Sequence, residues 1–245
     1  VTHVTTTPFG DAAVMIAGPP GTDARSTVRA VGRLLESRPP HGVTDLVAGL
    51  DSLLVRFDPL RTTAESVTDV VTLIAESVPA ASVPAEDGAS AAASGREFTI
   101  PVVFDAGAGP DLDPVAAELE QGVDELIAAV TGTTFDVVLL AAGMAPMMEG
   151  GRFSRPVRRA PQPRTNVPPG SIMIAGQNAI IQPFPGPTGW RVVGRTPHVI
   201  VDIARGEPTA ILPGDRVRYR AISRSEAEQL DGTFLPPDET AGAGR

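Results

Sequence analysis

Arg152, Arg155, Arg158, Arg159 and Arg164 fall between residues 151 and 170 with no acidic side chain among them. A guanidinium offers a planar fork of donors to a carboxylate or phosphate, so this run reads as an anion site. Arg164 is the best placed of the five. It sits in PRTNVPPG, where flanking prolines restrict the backbone and lower the entropy cost of presenting a fixed side chain. Asn166 belongs to the same string. Gln177 and Asn178 close the longer run PRTNVPPGSIMIAGQN and carry the groups to hydrogen-bond an amide or carboxylate. Both readings have a plainer counterpart. A solvated arginine loop paired with surface carboxylates needs no ligand and gains little from each pair, and Gln and Asn are also ordinary turn residues.

Other chemistry is mostly excluded. The sequence contains no Cys, hence no thiol nucleophile, disulfide or thiolate metal site. All 20 basic residues are Arg; without Lys there is no Schiff base and no standard phosphate-binding loop. The three histidines, His3, His41 and His198, have no metal-ligand spacing, so no metal is expected. Ser171 precedes an apolar run without the strand-turn-helix context of a nucleophile elbow. Asp105, Asp111 and Asp113 lack the calcium-loop spacing and read as turn and cap residues.

The 245 residues, 42% hydrophobic and 20% charged, suit one large domain or two small ones. A net charge of -9 has the wrong sign for a general nucleic-acid binder. VTHVTTTPFG at the start lacks the basic and apolar regions of a signal peptide. No stretch reaches the roughly 18 apolar residues of a membrane span. A soluble cytoplasmic protein is expected, with neither nucleic acid nor membrane as a partner.

The elements that must hold these residues divide at an Ala, Ser, Pro and Gly-rich stretch over 79–97, which reads as a linker. The expected organisation is a first domain over 1–80, a flexible linker over 81–96, a second domain over 97–230 and a tail over 231–245 that only a partner would order. In the first domain, AAVMIA from Ala12 reads as a strand. A helix follows, with Asp23 as N-cap and Val28, Val31, Leu34 and Leu35 on one face. Two extended runs lie over 42–59, and a second helix carries Val67, Val70, Val71, Ile74 and Val78. The order β-α-β-β-α is close to a ferredoxin-like unit. In the second domain, strands are expected at 98–105 and from Phe135, with short helices over 113–119 and 123–130 between them. Short strands over 172–175, 179–182, 191–193, 199–203 and 216–221, separated by Gly and Pro, point to a closed or nearly closed β-barrel. A late helix is expected over 223–230.

IPVVFD at Ile100, GPDL at Gly109, PRTNVPPGSIMIAG and GWRVVGRTP, with GVTDLV and SLLVRFDP earlier, together resemble the allophanate hydrolase subunit 1 family. It is also called the KipI or PxpB family and the carboxyltransferase subdomain C and D family. The resemblance covers nearly the whole chain. It implies an α+β protein with a ferredoxin-like N-terminal domain followed by a cyclophilin-like β-barrel. It also implies one member of a complex rather than a self-sufficient enzyme. Most such proteins are similar to the B subunit of the ATP-dependent 5-oxoprolinase, which opens 5-oxo-L-proline to L-glutamate with two other kinds of chain, A and C. Other branches resemble allophanate hydrolase subunit 1 of urea degradation, or an inhibitor of a sporulation histidine kinase without hydrolytic activity. The implied partner is a subunit 2 or KipA-like (PxpC-like) chain, with a PxpA-like chain as a further one. ATP is used by the complex, with no nucleotide site in this chain alone. On this reading Arg164 and Arg195 hold substrate anions, supported by Arg158, Arg159 and Asn166, while Gln177 and Asn178 contact an amide. The stretch GMAPMMEGG from Gly143 departs from the family's Gly-Phe-x-Pro-Gly-Phe-x-Tyr-Leu pattern, with Met144 where an aromatic is expected.

Overall fold

A computed structural model describes residues 4–18, 24–78 and 95–238. They belong to two compact units, Val1–Ala91 and Ala92–Arg245. The first unit is a four-stranded antiparallel sheet with two helices, in the order β1 (Thr5–Pro8), β2 (Ala13–Ala17), α1 (Ala24–Ser37), β3 (Val43–Ala48), β4 (Ser52–Phe57) and α2 (Ala64–Ser77). The strands lie side by side as β1-β2-β4-β3. Alternation decides which face is covered: Val14 opposes Val55 and Ile16 opposes Leu53, and these four side chains are buried. Val28, Val31 and Leu35 of α1 and Val67, Val71 and Ala75 of α2 complete the same core, each large apolar side chain contributing about 1.5–3 kcal/mol. Thr63 starts α2, its hydroxyl accepting the Ser66 N–H at 3.2 Å.

The buried stripes are narrower than the periodicity implies. Leu34 is 43% exposed and Val70 37% exposed, because a residue about 100° around the helix from the buried row falls on its flank. Strand β1 was not expected; its polar TTTP shows no hydrophobic signal and is placed by pairing with β2. Asp23 and the linker residues 81–94 lie outside the described residues.

The second unit contains β5 (Glu97–Val102), α3 (Leu112–Glu118), α4 (Val123–Thr131), β6 (Thr134–Ala141), β7 (Ala145–Glu149), β8 (Arg164–Val167), β9 (Ser171–Ala175) and β10 (Asn178–Ile181). It continues with β11 (Gly186–Thr188), β12 (Arg191–Arg195), β13 (Arg216–Ala221) and α5 (Arg224–Leu230). Seven strands form one sheet in the order β12-β9-β10-β7-β6-β13-β5, and β8 pairs with β11 in a separate ribbon. Phe98, Ile100, Phe135, Val137, Met148, Ile172, Ile174 and Val217 fill the interior. On the outside, Val167 and Trp190 pack against Met173 and Val192.

The sheet curls until its two outer strands meet. Val103, just beyond β5, donates to the Arg195 carbonyl at 2.9 Å, and Arg195 donates back to Val103 at 3.1 Å. This seam, joining the end of one strand to the end of another, is the offset a tilted barrel requires, and the architecture is consistent with a cyclophilin-like barrel. Two glycines permit the close approach. A Cβ on Gly194 would lie 2.7 Å from Val102 Cγ1 and 3.0 Å from the Val103 carbonyl. One on Gly109 would lie 2.2 Å from the Val193 carbonyl.

Three expectations change here. Residues 199–203 form no strand, only isolated bridges from Val199 to Phe234 and Val201 to Thr209. Most of the divergent stretch from Gly143 is strand β7, with Met148 in the core. Met144, at the hairpin tip, is a partly buried member of the same packing, which is how a flexible thioether replaces aromatic volume. Residues 231–238 are held by their own unit rather than awaiting a partner. Leu235 is buried, and its N–H donates to the Val199 carbonyl at 3.0 Å. The Asp238 carboxylate accepts the Thr99 N–H and hydroxyl, each at 2.8 Å.

Gly109→Ala sets a side chain against backbone that cannot rotate away, and a loss of about 2–4 kcal/mol is expected in urea denaturation. Gly189→Ala, at a position with open space, is the control and is expected to stay within about 0.5 kcal/mol of the parent.

Candidate functional site

The arginine-rich segment folds over the start and end of α3. Asp111 occupies the N-cap position of that helix, yet its side chain makes no cap. Its backbone N–H instead donates to the Val192 carbonyl at 2.9 Å, and its carboxylate accepts the Val192 N–H at 2.9 Å. The loop and one carboxylate thus occupy the outer edge of β12, where unpaired backbone would otherwise be left.

Arg164 approaches the same carboxylate with both prongs, Nε at 3.2 Å and Nη2 at 2.8 Å. The Asp111 side chain is 5% exposed and that of Arg164 is 42% exposed. The fork holds the Arg164 guanidinium above its ordinary pKa, with burial opposing it. A second arginine, Arg191, lies beneath: it is 3.9 Å from Asp111 and 3.5 Å from Glu118, and its Nε donates to the Arg158 carbonyl at 3.2 Å.

Glu118 is the other buried carboxylate of this cluster. It accepts the Arg158 N–H at 2.8 Å and lies 3.3 Å from Arg158 Nε. Arg155 donates to the Glu118 carbonyl and, at 3.0 Å, to the Glu120 carboxylate. Arg159 stacks over Trp190 at 5.9 Å. Three carboxylates of the α3 region, Asp111, Glu118 and Glu120, therefore face Arg155, Arg158, Arg164 and Arg191. Asp111, Glu118 and Arg191 were not singled out as site residues by type and spacing. Asp111 and Arg164 are 53 residues apart in sequence, and only the string GPDL hinted at that end of the contact.

The remaining expected site residues do not form one constellation with these. Gln177 is committed to the fold: its side-chain oxygen accepts the Phe153 N–H at 2.9 Å and its amide donates to the Phe153 carbonyl at 3.0 Å. Asn178 begins β10 at the hairpin end of β9, opposite Ala175. Arg195 pairs with Ser171 at the other end of β9, about 13 Å away at strand rise. Its Nε donates to the Pro169 carbonyl at 3.0 Å. Asn166 is exposed on β8. Among the described residues, no group of three or more His, Cys, Asp or Glu side chains is arranged to hold a metal. No helix of the described residues is long and apolar enough to cross a membrane.

A curled barrel whose seam is fastened by an Arg–carboxylate network defines a class, the carboxyltransferase-type barrel proteins, and sets the chain apart from nucleotide-binding α/β folds. The chain belongs to the family described as "carboxyltransferase domain, subdomain C and D", which matches residues 4–212. It is 28% identical to the 5-oxoprolinase B subunit of Bacillus subtilis (strain 168), over 89% of this chain and 92% of that one. It is 34% identical to the 5-oxoprolinase B subunit of Escherichia coli O157:H7, over 51% of this chain and 57% of that one. Among solved structures it is similar to TTHA0988, with a TM-score of 0.67 at 24% identity over 87% of this chain and 40% of that one. It is also similar to the Kluyveromyces lactis urea amidolyase, with a TM-score of 0.75 at 18% identity over 97% of this chain and 16% of that one. The chain thus spans well under half the length of these two structures.

Asp111→Ala leaves the Val192 N–H without its acceptor and Arg164 without its fork. A loss of about 2–4 kcal/mol is expected by chemical denaturation, the half-exposed arginine keeping it below the full cost of breaking a buried pair. Asp105 offers a pH test. Its carboxylate accepts the Ala108 and Gly107 N–H groups, each at 2.9 Å, and Arg224 at 2.8 Å. Led by the Ala108 bond, these contacts hold its pKa below the ordinary carboxylate value. A depressed folded-state pKa stabilises above the unfolded value near ~3.9, and that stability is lost as pH falls through the lower folded value. In thermal melts the deficit of Asp105→Asn should therefore be present at pH 7 and shrink below about pH 4.

Proposed function

We propose that this chain is a non-autonomous member of an ATP-dependent amidohydrolase complex, the B subunit of a 5-oxoprolinase, which opens 5-oxo-L-proline to L-glutamate. The observation that carries the reading is the similarity to the Bacillus subtilis protein of that name over nearly the full length of both chains. The partner is a KipA-like (PxpC-like) chain, with a PxpA-like chain completing the assembly in the cytoplasm. ATP is held by another chain: this one has no Lys to reach a terminal phosphate, and the fork of Arg164 is filled by Asp111.

The first unit is read as ferredoxin-like with one strand relocated. Its order β1-β2-β4-β3 keeps an edge strand beside the first strand of the β-α-β-β-α run, but that edge strand precedes the run in the chain. Within the assembled site, Arg195 is the residue assigned to a substrate carboxylate. Its side chain is exposed and anchored at Nε alone. Arg164, Arg158 and Arg159 hold the wall behind it, and Asn166 and Asn178 offer amide groups to the partner.

Co-expression with the neighbouring chains of the complex and an assay of ATP-dependent glutamate release tests this. Omitting the chain should abolish release, and Arg195→Ala should lower it about tenfold or more with the complex still assembled on gel filtration. Release that continues without the chain contradicts the assignment. Hydrolysis of allophanate in place of 5-oxoproline would move the chain to the urea-degrading branch.

A further inference from the structure

A cleft of about 460 Å³ lies in the second unit away from the Asp111 network, lined among others by Arg96, Arg205, Glu207, Thr209, Phe234 and Pro236. Its volume is within the range of about 300–1,000 Å³ usual for small-molecule sites. Both guanidinium groups are fixed before any ligand arrives. Arg96 is gripped by the Asp215 carboxylate, with Nη2 at 2.7 Å and Nε at 3.4 Å, and also donates to the Ala210 carbonyl at 2.8 Å. Arg205 lies 4.0 Å over the ring of Phe234, a ring packed against the main core.

The loop that carries Arg205 and Glu207 is also constrained. Val201 bridges Thr209 at its base, the Asp202 N–H donates to the Pro208 carbonyl at 2.8 Å, and the Arg205 N–H donates to the Asp202 carbonyl at 3.1 Å. Neither Arg205 nor Glu207 makes an ion pair with any described residue.

The charges select the ligand. Arg96 is neutralised by Asp215, which is buried, and Arg205 and Glu207 cancel one another. The cleft is therefore dipolar and close to neutral, which disfavours a simple anion and suits a molecule carrying one charge of each sign. We propose that it binds the zwitterionic head of a free α-amino acid. Arg205 takes the carboxylate, with Arg96 beside it, Glu207 takes the ammonium, and the Phe234 and proline surface accepts the side chain. The fixed cations spare much of the ordering cost of binding.

The test titrates glycine, L-proline and L-glutamate into the full chain by NMR, with N-acetylglycine, ethanolamine and succinate as probes missing one or other charge. Dissociation constants on the order of 1 mM are expected for the three amino acids. Glu207→Gln and Arg205→Gln should each weaken glycine about tenfold with unchanged melting temperatures, and Glu207→Gln should improve succinate. Tighter binding of succinate than glycine to the parent chain, equal binding of glycine to parent and variants, or no binding of any amino acid at about 50 mM would each overturn the proposal. None of these outcomes depends on glutamate release, so the proposed function stands or falls separately.

Discussion

One buried carboxylate fastens the second unit. Around Asp111 converge the Val192 N–H, both prongs of Arg164 and, more distantly, Arg191. A carboxylate removed from water costs several kcal/mol unless its lone pairs are met, so these donors are a condition for placing it there. Once placed, it joins the start of α3, the outer edge of β12 and the beginning of β8, three pieces of chain with no local reason to meet. The seam between Val103 and Arg195 adjoins it, and Gly109 and Gly194 clear the space.

This arrangement gives the family-bearing strings a physical meaning. GPDL supplies Gly109 and Asp111, PRTNVPPG supplies Arg164, GWRVVGRTP supplies Arg191, Val192 and the seam residues Gly194 and Arg195, and IPVVFD supplies Val103. The strings that look most like a binding motif in one dimension are, in three, the parts of the barrel that close it. The arginine excess within a chain of net charge -9 is accordingly matched by carboxylates from α3 rather than left open to an anion. Arg195, fixed by a single side-chain bond at the seam, is the arginine of the two family strings whose side chain is least committed.

What the sequence makes legible follows from the range of the forces involved. Helices α1 and α2, strands β2, β4 and β9 and the capped start of α5 are written in local periodicity and cap residues, with Ser223 accepting the Glu226 N–H at 3.2 Å. Strands β1, β7, β8 and β11 have weak local signals, since Thr, Pro and Gly dominate them or their borders; pairing partners elsewhere in the chain define them. The apolar run at Val199 looks like a strand but is partnered by only a single bridge at each of two positions, so its burial comes from packing. Asp111 shows the limit most clearly. Beside Asp105 and Asp113 it reads as a cap, and nothing local reveals that its partner is Arg164. Gln177 misleads in the same way, because an amide suited to a ligand is equally suited to one backbone unit, that of Phe153.

The central claim is that Arg164 and Asp111 act on each other, and a double-mutant cycle measures that directly. Arg164→Gln, Asp111→Asn and the double variant are compared with the parent in urea denaturation. The account predicts strong non-additivity, with a coupling of about 1–3 kcal/mol and a double variant little worse than Asp111→Asn alone. Additive effects, with Arg164→Gln as stable as the parent, would contradict it and return Arg164 to the role of a free anion ligand.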